Sequence, residues 1–411
     1  MRNKDKPKYR LISLEDYRPL IGDETFERIR KKAVALAGLR VLNFNSTYYG
    51  GGVAEVLTSM TLLMNSLDIR SEWRVIQGTP DYFSITKKMH NALQGDSINL
   101  SPFKQQIFEK VVFENAVRNR IDHDFVIIHD PQPLPLIEHY PKTCPWIWRC
   151  HLDLSKPHPQ LWAYLRKWID RYDSIILSCP EYAQDVLPPQ LIFMPAIDPF
   201  NIKNRTLSKR VIANRLNRHK IPTDLPIVAQ ISRFDPWKDP EGVIQAFQLA
   251  QKKAPEARLI LLGNFATDDP EGARIFESLC RSRNEKTFIM AHGDDTSLVN
   301  ALQRSARIVL QKSLREGFGL TVTEAMWKST PVIGGNVGGI PFQIENGVNG
   351  YLTSSIEETA DRMTQLLKDE NLCRQMGKHG RENVRKKFLL TRYLEQYLDL
   401  FLSSSYSGIP L

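Results

Sequence analysis

Several features that would assign a function class at once are missing from this 411-residue sequence. Its five cysteines are odd in number and form no Cys-x-x-Cys pair, which favours free thiols in a reducing compartment over a disulfide framework. No apolar run reaches the roughly 18 residues that a membrane helix needs, and residues 1–10 are polar and basic rather than a signal core. We therefore expect a soluble, cytoplasmic protein.

Catalytic and binding signatures are also absent. No Gly-x-Ser-x-Gly elbow is present, which argues against a serine hydrolase, and no His/Cys cluster has zinc spacing. The pair Asp122-x-Asp124 precedes its strand, at the wrong edge of a sheet for catalysis, so we expect no metal and no cofactor. The net charge of +9 comes from scattered Lys and Arg without interleaved aromatics, so no nucleic-acid or membrane partner is expected.

Short apolar runs alternate with helical patterns from Arg40 onward, which is typical of parallel sheets covered by helices on both faces. A first series begins at Val41 and a second begins at Ile227. The sequence thus predicts an α/β protein with two Rossmann-like, doubly wound domains that face a deep cleft. The predicted units are an N-terminal helical leader (1–38), a first domain (39–205), a second domain (206–385) and a C-terminal helix that crosses back (386–411).

The most informative stretch, Ser313 to Ala325, joins an apolar strand to a helix. It contains Glu316-Gly317-Phe318-Gly319-Leu320 followed by Glu324. Two Glu eight residues apart occur by chance, and a solvated turn remains an alternative on spacing alone. The paired glycines favour a binding site over a solvated turn, because they allow close backbone approach next to a helix N-terminus, where phosphates bind.

Two further loops follow predicted strands. Arg233 and Lys238 lie five residues apart directly after the strand that ends at Ile231, a spacing that can straddle a diphosphate; a plain surface loop is the alternative. The turn Tyr49-Gly50-Gly51-Gly52 joins the first strand to its helix and exposes backbone amides. It is not the dinucleotide fingerprint, because residue 55 is Glu; a plain tight turn is the alternative.

Polar residues also follow two neighbouring strands of the first domain. Asp130 and Gln132 follow one strand, and His151 and Asp153 follow the next. Because parallel strands end at one edge, these side chains are expected in one crevice. His151 alone is as consistent with a structural histidine, whereas Trp146 and Trp148 alternate within an apolar run and are expected in the core.

Together these loops resemble the retaining glycosyltransferases of the family-four class, which have the GT-B fold. Within that class the chain is similar to the trehalose synthases of the glycosyltransferring type. The resemblance rests on Asn45 to Glu55, Phe83 to Gly95, His129 to Pro133, Trp148 to His151, Ser232 to Lys238 and Arg315 to Trp327. The related trehalose phosphorylases share much of this pattern.

The resemblance implies roles for particular residues. Glu316 corresponds to the family glutamate beside the donor sugar, and Glu324 to the one that holds the nucleotide ribose. Arg233 and Lys238 would bind the diphosphate, and His151 would lie near the donor sugar. Backbone groups would complete the donor and nucleotide site at Gly51, Gly52, Gly263, Gly317, Phe318, Gly319 and Leu320. Acceptor-site residues expected by position alone are Tyr49, Asp130, Gln132 and Asp153.

The implied reaction moves glucose from a nucleoside diphosphate glucose to free glucose with retention, in a homodimer. Only Glu316 can be placed near the donor sugar, whereas a double displacement needs a nucleophile and a separate acid/base. Front-face attack is therefore the preferred hypothesis. The alternatives are a phosphorylase, a related transferase with another acceptor, and a degenerate transferase that serves as a sugar-nucleotide-binding scaffold.

Overall fold

The computed structural model describes residues 11–49, 51–264 and 270–407. The first of its two sheets consists of β1 (Arg40–Asn45), β2 (Arg70–Val75), β3 (Phe125–His129), β4 (Trp146–Arg149), β5 (Ser174–Leu177) and β6 (Gln190–Ile192). The second consists of β7 (Ile227–Ile231), β8 (Arg258–Leu262), β9 (Thr287–Met290), β10 (Ile308–Gln311), β11 (Val332–Gly335) and β12 (Gly350–Thr353). All strand pairs within these sheets are parallel.

Helices cover both sheets. In the first half they are α1 (Leu14–Ile21), α2 (Asp23–Ala35), α3 (Gly51–Asn65), α4 (Pro80–Leu93), α5 (Pro102–Arg118) and α6 (Pro159–Ile169). Those that follow are α7 (Lys209–Arg218), α8 (Pro240–Gln251), α9 (Pro270–Cys280), α10 (Thr296–Ser305), α11 (Leu320–Trp327), α12 (Ile356–Lys368), α13 (Glu370–Lys387) and α14 (Leu390–Ser407). Helices α4, α5, α6 and α8 each begin with proline, whose missing N–H has no helical partner at that position.

The central strands are continuous apolar runs because helices cover both of their faces. Every residue of β3, β4, β5 and β7 is buried. Trp146 and Trp148 are 1% and 0% exposed, which confirms that they belong to the core. The edge strands β2 and β6 are only partly covered.

The strand order places a crevice in each sheet. The first sheet has the order β2-β1-β3-β4-β5-β6 and the second β12-β11-β10-β7-β8-β9. In the first sheet, successive strands are added toward one edge up to β2 and toward the other edge from β3, so the strand order switches between β1 and β3. In the second sheet the same switch lies between β7 and β10. Loops at the carboxyl ends of such neighbouring strands diverge and leave room for a ligand.

The chain returns to its first half near its end. Ile197 N donates to Phe388 O (2.9 Å), and Leu390 N donates to Ile197 O (2.9 Å). Helix α14 then packs on α2 and α3, where Glu395 pairs with Arg28 (2.6 Å) and Lys32 (2.8 Å). The last helix therefore belongs to the packing of the first sheet.

These features confirm the predicted fold class, an α/β GT-B architecture of two doubly wound units. The strands Ser174–Leu177 and Ile227–Ile231 lie where the apolar runs predict them. The patterns do not predict α1, α4, α6, α10, β9 or β12. The domain boundaries at 38, 205 and 385 stay predictions, and the residues 1–10 of the predicted leader lie outside the described ranges.

Candidate functional site

The loop after β7 carries the two predicted cations. Asp235 shapes this loop, since its Oδ1 accepts from Trp237 N (2.9 Å) and its Oδ2 lies 3.3 Å from an Arg233 guanidinium nitrogen. The Arg233 side chain keeps 38% of its surface exposed, so it is open to an anionic ligand. Lys238 follows in a short 3-10 turn and directs its ammonium group toward the loop after β10.

Glu316, in the loop after β10, is held through one carboxylate oxygen. Its Oε2 accepts from Lys238 Nζ (2.6 Å), Gln311 Nε2 (2.9 Å) and Ser313 Oγ (3.0 Å). Its Oε1 has no hydrogen-bond partner within the described ranges. The carboxylate is therefore fixed in orientation, with one oxygen available to a hydroxyl.

The predicted Gly-rich turn leads directly into helix α11. Gly319 is left-handed (φ 83°, ψ 60°), a conformation that glycine tolerates best, and the helix begins at Leu320. Gln343 Nε2 donates to Phe318 O (2.5 Å) and fixes the turn. The Phe318 ring is buried against Phe388, with centroids 5.8 Å apart, so this side chain supports the turn from behind.

Loops of the two halves touch at the turn. A Cβ added at Gly317 would clash with the backbone oxygen of His151, and one at Gly52 would lie 2.5 Å from Leu320 Cδ1. Tyr182 OH, from the first half, donates to Gly317 O (2.8 Å). The two carboxyl edges therefore face one another across a narrow cleft, in agreement with the predicted arrangement.

His151 lies on the first-half wall of this cleft, and Asp130 fixes its backbone. Asp130 Oδ1 accepts from His151 N (2.8 Å), and Trp148 Nε1 donates to Asp130 O (3.0 Å). Burial raises the pKa of Asp130 to about 6. Because one of its carboxylate oxygens accepts a hydrogen bond from the His151 backbone, Asp130 holds the loop that carries His151 in place.

The other predicted acceptor residues differ in their exposure and in whether their polar atoms already have hydrogen-bond partners. Asp153 Oδ1 accepts from Ser155 N (2.9 Å). Tyr49 is 86% exposed on the loop after β1, next to Gly50, which lies outside the described residues. Gln132 Oε1 is buried and has no hydrogen-bond partner among the residues that the structure describes, as expected of an atom that awaits a ligand.

The first half also reaches the loop after β7. Burial, together with the nearby Arg233 guanidinium, lowers the pKa of His90 to about 3. A Cβ added at Gly95, just past helix α4, would lie 2.6 Å from an Arg315 guanidinium nitrogen. Arg315 in turn covers the Trp237 ring at 4.5 Å. The segment 90–95 therefore closes one side of the cleft, a role that its sequence does not reveal.

Glu324, the second carboxylate of the motif, is 2% exposed and already bonded on both oxygens. Its Oε1 pairs with Lys203 Nζ (2.9 Å), and its Oε2 accepts from Gln303 Nε2 (3.1 Å). Lys203 also contacts Glu55 Oε1 (3.0 Å), on helix α3. The Lys203 ammonium group thus joins a carboxylate on α3, which covers the first sheet, to a carboxylate on α11, which covers the second.

The charges in this cluster influence one another. Burial alone lowers the pKa of Lys203, but Glu324 and Glu55 more than offset it and raise the net value. Burial raises the pKa of Glu55 and lowers that of Lys328 to about 7. Lys328 Nζ donates to Asn204 Oδ1 (2.8 Å). Lys203 and Asn204 lie in a polar segment that offers no motif, so the sequence does not identify them.

Gly263 lies at the carboxyl end of β8, against the loop after β7. An added Cβ would lie 2.6 Å from Ser232 O and 2.8 Å from the Phe234 ring. Gly293 N donates to Gly263 O (2.7 Å). The close approach of three strand ends requires a residue without a side chain here, which places Gly263 at the edge of the same crevice.

Across the described ranges, no group of three or more His, Cys, Asp or Glu side chains could hold a metal ion. Every helix in those ranges is too short or too polar to cross a membrane. Asp122 and Asp124 contact Arg40 at the opposite edge of the sheet. All five cysteines are free, as the sequence predicts.

Family comparisons cover both halves of the chain. Residues 43–184 match the family described as "Trehalose synthase, N-terminal domain", and residues 212–383 match "Glycosyl transferases group 1". The trehalose synthase of Thermococcus litoralis is 42% identical over 95% of this chain and 97% of its own length. That of Rubrobacter xylanophilus is 38% identical over 95% and 96%.

More distant proteins are similar in sequence or in fold. The trehalose phosphorylase of Pleurotus pulmonarius is 28% identical over 90% of this chain and 58% of its own length. The crystal structure of the trehalose 6-phosphate synthase of Burkholderia multivorans has a TM-score of 0.72 at 15% identity, covering 91% of this chain and all of that one. Anabaena HepE in complex with UDP-glucose has a TM-score of 0.66 at 18% identity, over 89% and 100%.

Proposed function

We propose that this chain, which belongs to the trehalose synthase family of glycosyltransferases, transfers glucose from ADP-glucose or UDP-glucose to free glucose and forms trehalose. The observation that carries the proposal is the convergence of Arg233, Lys238 and Glu316 in the crevice between β7 and β10, opposite His151. Two cations suit a diphosphate, and an oriented carboxylate suits a sugar hydroxyl.

The donor half is supported by the charges around the crevice. Arg233 contacts Asp235 at 3.3 Å but keeps 38% of its side chain exposed for a diphosphate, and Lys238 adds a point charge while it holds Glu316 at 2.6 Å. Backbone amides at the start of α11, beside Gly319, complete an anion-binding surface. The UDP-glucose bound to the structural neighbour HepE supports a sugar nucleotide as the ligand class.

The mechanism that we propose is front-face transfer with retention. The bond from glucose C1 to the diphosphate oxygen breaks, and the acceptor hydroxyl oxygen bonds to C1 on the same face. The hydroxyl proton passes to the departing phosphate, whose charge Arg233 and Lys238 stabilise. A double displacement would need a nucleophile and a separate acid/base, and Glu316 is the one carboxylate that the proposal places beside the donor sugar.

The acceptor site falls on the first-half wall. Gln132 is the best-supported acceptor residue, because its buried Oε1 lacks a partner in the described part of the chain. Asp153 and Tyr49 lie on neighbouring loops, and Asp130 acts mainly through His151. Closure of the cleft around the donor would exclude water that otherwise hydrolyses it. A cytoplasmic homodimer that needs no metal completes the proposal.

A trehalose phosphorylase is the second candidate, favoured by the relative from Pleurotus pulmonarius. In that reaction inorganic phosphate, rather than a nucleoside diphosphate, would occupy the space beside Arg233 and Lys238. Phosphate dependence therefore separates the two candidates.

The test incubates purified protein with ADP-, UDP- or GDP-glucose plus glucose, or with trehalose alone, each with and without phosphate, and identifies the products. We expect trehalose from a sugar nucleotide without phosphate, and a loss of about 100-fold or more for Glu316→Ala and Arg233→Ala. Glu357→Ala and Arg171→Ala, at exposed positions, are matched controls. Near wild-type transfer by both site variants would refute the site, and trehalose cleavage only with phosphate would favour the phosphorylase.

A further inference from the structure

A buried chain of hydrogen bonds runs behind His151, away from the cleft. Asn43 is 4% exposed and His129 is 2% exposed. Asn43 Oδ1 lies 3.0 Å from His129 Nε2, and His129 Nδ1 lies 3.1 Å from His151 Nε2. The two imidazole rings are nearly parallel, at 16°. These contacts use both ring nitrogens of His129 and one of His151.

The orientation of the Asn43 amide sets the direction of this chain. Asn43 Nδ2 donates to Ser71 Oγ (3.3 Å), so its Oδ1 faces His129 and can only accept. His129 Nε2 therefore carries the proton, and its Nδ1 is an acceptor. His151 Nε2 must then donate to that atom, which leaves His151 Nδ1 without a proton.

His151 Nδ1 is the open end of the chain. It makes no hydrogen bond to a described residue, and it is not fully buried. The backbone of His151 touches Gly317, the neighbour of Glu316. The residue that carries this free lone pair therefore lies beside the loop of Glu316.

We infer that Asn43 and His129 are positioning residues that hold His151 as the neutral Nε2–H tautomer, so that Nδ1 accepts a hydrogen bond from a substrate hydroxyl. The substrate hydroxyl in this inference rests on the proposed function, whereas the fixed tautomer of His151 does not. In this tautomer His151 cannot donate a proton through Nδ1. It selects a hydroxyl that donates toward the first-half wall.

The surroundings of the pair agree with this arrangement. Burial, with a smaller contribution from the Arg149 guanidinium, lowers the pKa of His129 to about 3 and that of His151 well below its ordinary value. Asp130, the nearby carboxylate, binds the His151 backbone N–H rather than its ring. Tyr393 and Tyr397 border the same small cavity. Both rings therefore remain neutral across the physiological pH range.

The structural test is ¹⁵N NMR of histidine-labelled full-length protein without substrate, with the His151 signals assigned by their loss in His151→Asn. We expect a protonated Nε2 and an unprotonated Nδ1, unchanged between pH 6 and pH 8. A proton on Nδ1, or a mixture of tautomers, would overturn the inference whatever reaction the protein catalyses.

The functional test compares two variants whose side chains have the same number and branching of heavy atoms. His129→Asn retains a polar acceptor near the Nδ1 position, whereas His129→Leu removes it. With the sugar nucleotide and glucose of the transfer assay, we expect kcat/KM to fall about 5- to 20-fold more in His129→Leu, the effect of one misdirected hydrogen bond. The His151 tautomer should change only in that variant.

Equal activity and equal tautomers in the two variants would reject the positioning role. If no sugar nucleotide supports transfer by the wild type, the proposed function fails, and the NMR result still decides whether the tautomer is fixed.

Discussion

Lys203 and Glu324 form an ion pair of 2.9 Å in the contact between the two halves. The same ammonium group contacts Glu55, on the helix that follows the first glycine-rich turn. Because Glu324 is 2% exposed, a ribose can reach its carboxylate only if these groups rearrange. In the ribose-binding role that the family resemblance implies for Glu324, the pair would connect donor binding with the contact between the two halves.

Substitution of Lys203 by Met should destabilise the protein by about 3–5 kcal/mol, because it leaves Glu55 and Glu324 buried without their cation. Glu55→Gln should have a smaller effect, since it leaves the pair between Lys203 and Glu324 intact. Scanning calorimetry of both variants beside the exposed control Lys31→Met measures the difference in Tm. A Lys203→Met protein as stable as that control would show that the cluster does not stabilise the fold.

Replacement of Gly317 by Ala should separate the two halves, because the new Cβ meets the rigid backbone of His151. A displacement of about 1 Å at a reacting centre reduces rates about 100-fold. Gly52→Ala should reduce activity less, since its Cβ meets only the terminal Cδ1 of Leu320, which can rotate. The readout is kcat/KM for glucosyl transfer. Equal losses in both variants would contradict this account of the interface.

Asp130→Asn should change how stability depends on pH. The folded-state pKa of about 6 exceeds the ordinary value of 3.8, so the folded protein binds the proton more tightly. The resulting stabilisation is complete below about pH 4 and is lost as pH rises through 6. Asn keeps an acceptor for His151 N without titrating.

The stability of Asp130→Asn relative to wild type should therefore rise by roughly 1–3 kcal/mol between pH 4.5 and pH 7.5. Urea unfolding at both pH values measures it, with Asp153→Asn as the comparison on the neighbouring loop. A difference that does not vary with pH would exclude the raised pKa.

Removal of the Tyr393 hydroxyl should destabilise the first half. Arg149 is fully buried and directs its Nε to Tyr393 OH at 3.2 Å. In Tyr393→Phe that N–H loses its acceptor, at a cost of about 1–3 kcal/mol. Tyr397→Phe, one turn further along α14, leaves this bond in place and should be milder. Amide hydrogen exchange in β4 and β5 reports the change, and unaltered protection in Tyr393→Phe would count against it.

Sequence patterns predict what is local and regular. The runs 174–177 and 227–231 are apolar because helices cover both faces of these strands, and such strands are recognisable without the fold. Arg233, Lys238 and Glu316 are predictable because each directly follows a strand, and strand ends share one edge. The edge strand β12, Gly350–Thr353, has the same length as 174–177, but its apolar run is only the two residues between Gly350 and Thr353.

What the sequence does not predict depends on distant packing. Lys203 stands in a polar segment like any surface lysine, and only the fold brings it between Glu55 and Glu324, residues on opposite halves. His129 reads as the end of an apolar strand, and its link to Asn43 joins residues 86 positions apart. No spacing within the chain encodes such contacts.

The bond between Arg149 and Tyr393 has a consequence for synthesis of the protein. These residues are 244 positions apart, so β4 leaves the ribosome long before α14 exists. At about 5–20 residues per second, the interval is roughly 12–50 seconds. During that time Arg149 lacks one of its native acceptors and the first sheet lacks its final helix. The first half therefore reaches its native packing only after the second half has been translated, and the last helix completes the domain that was made first.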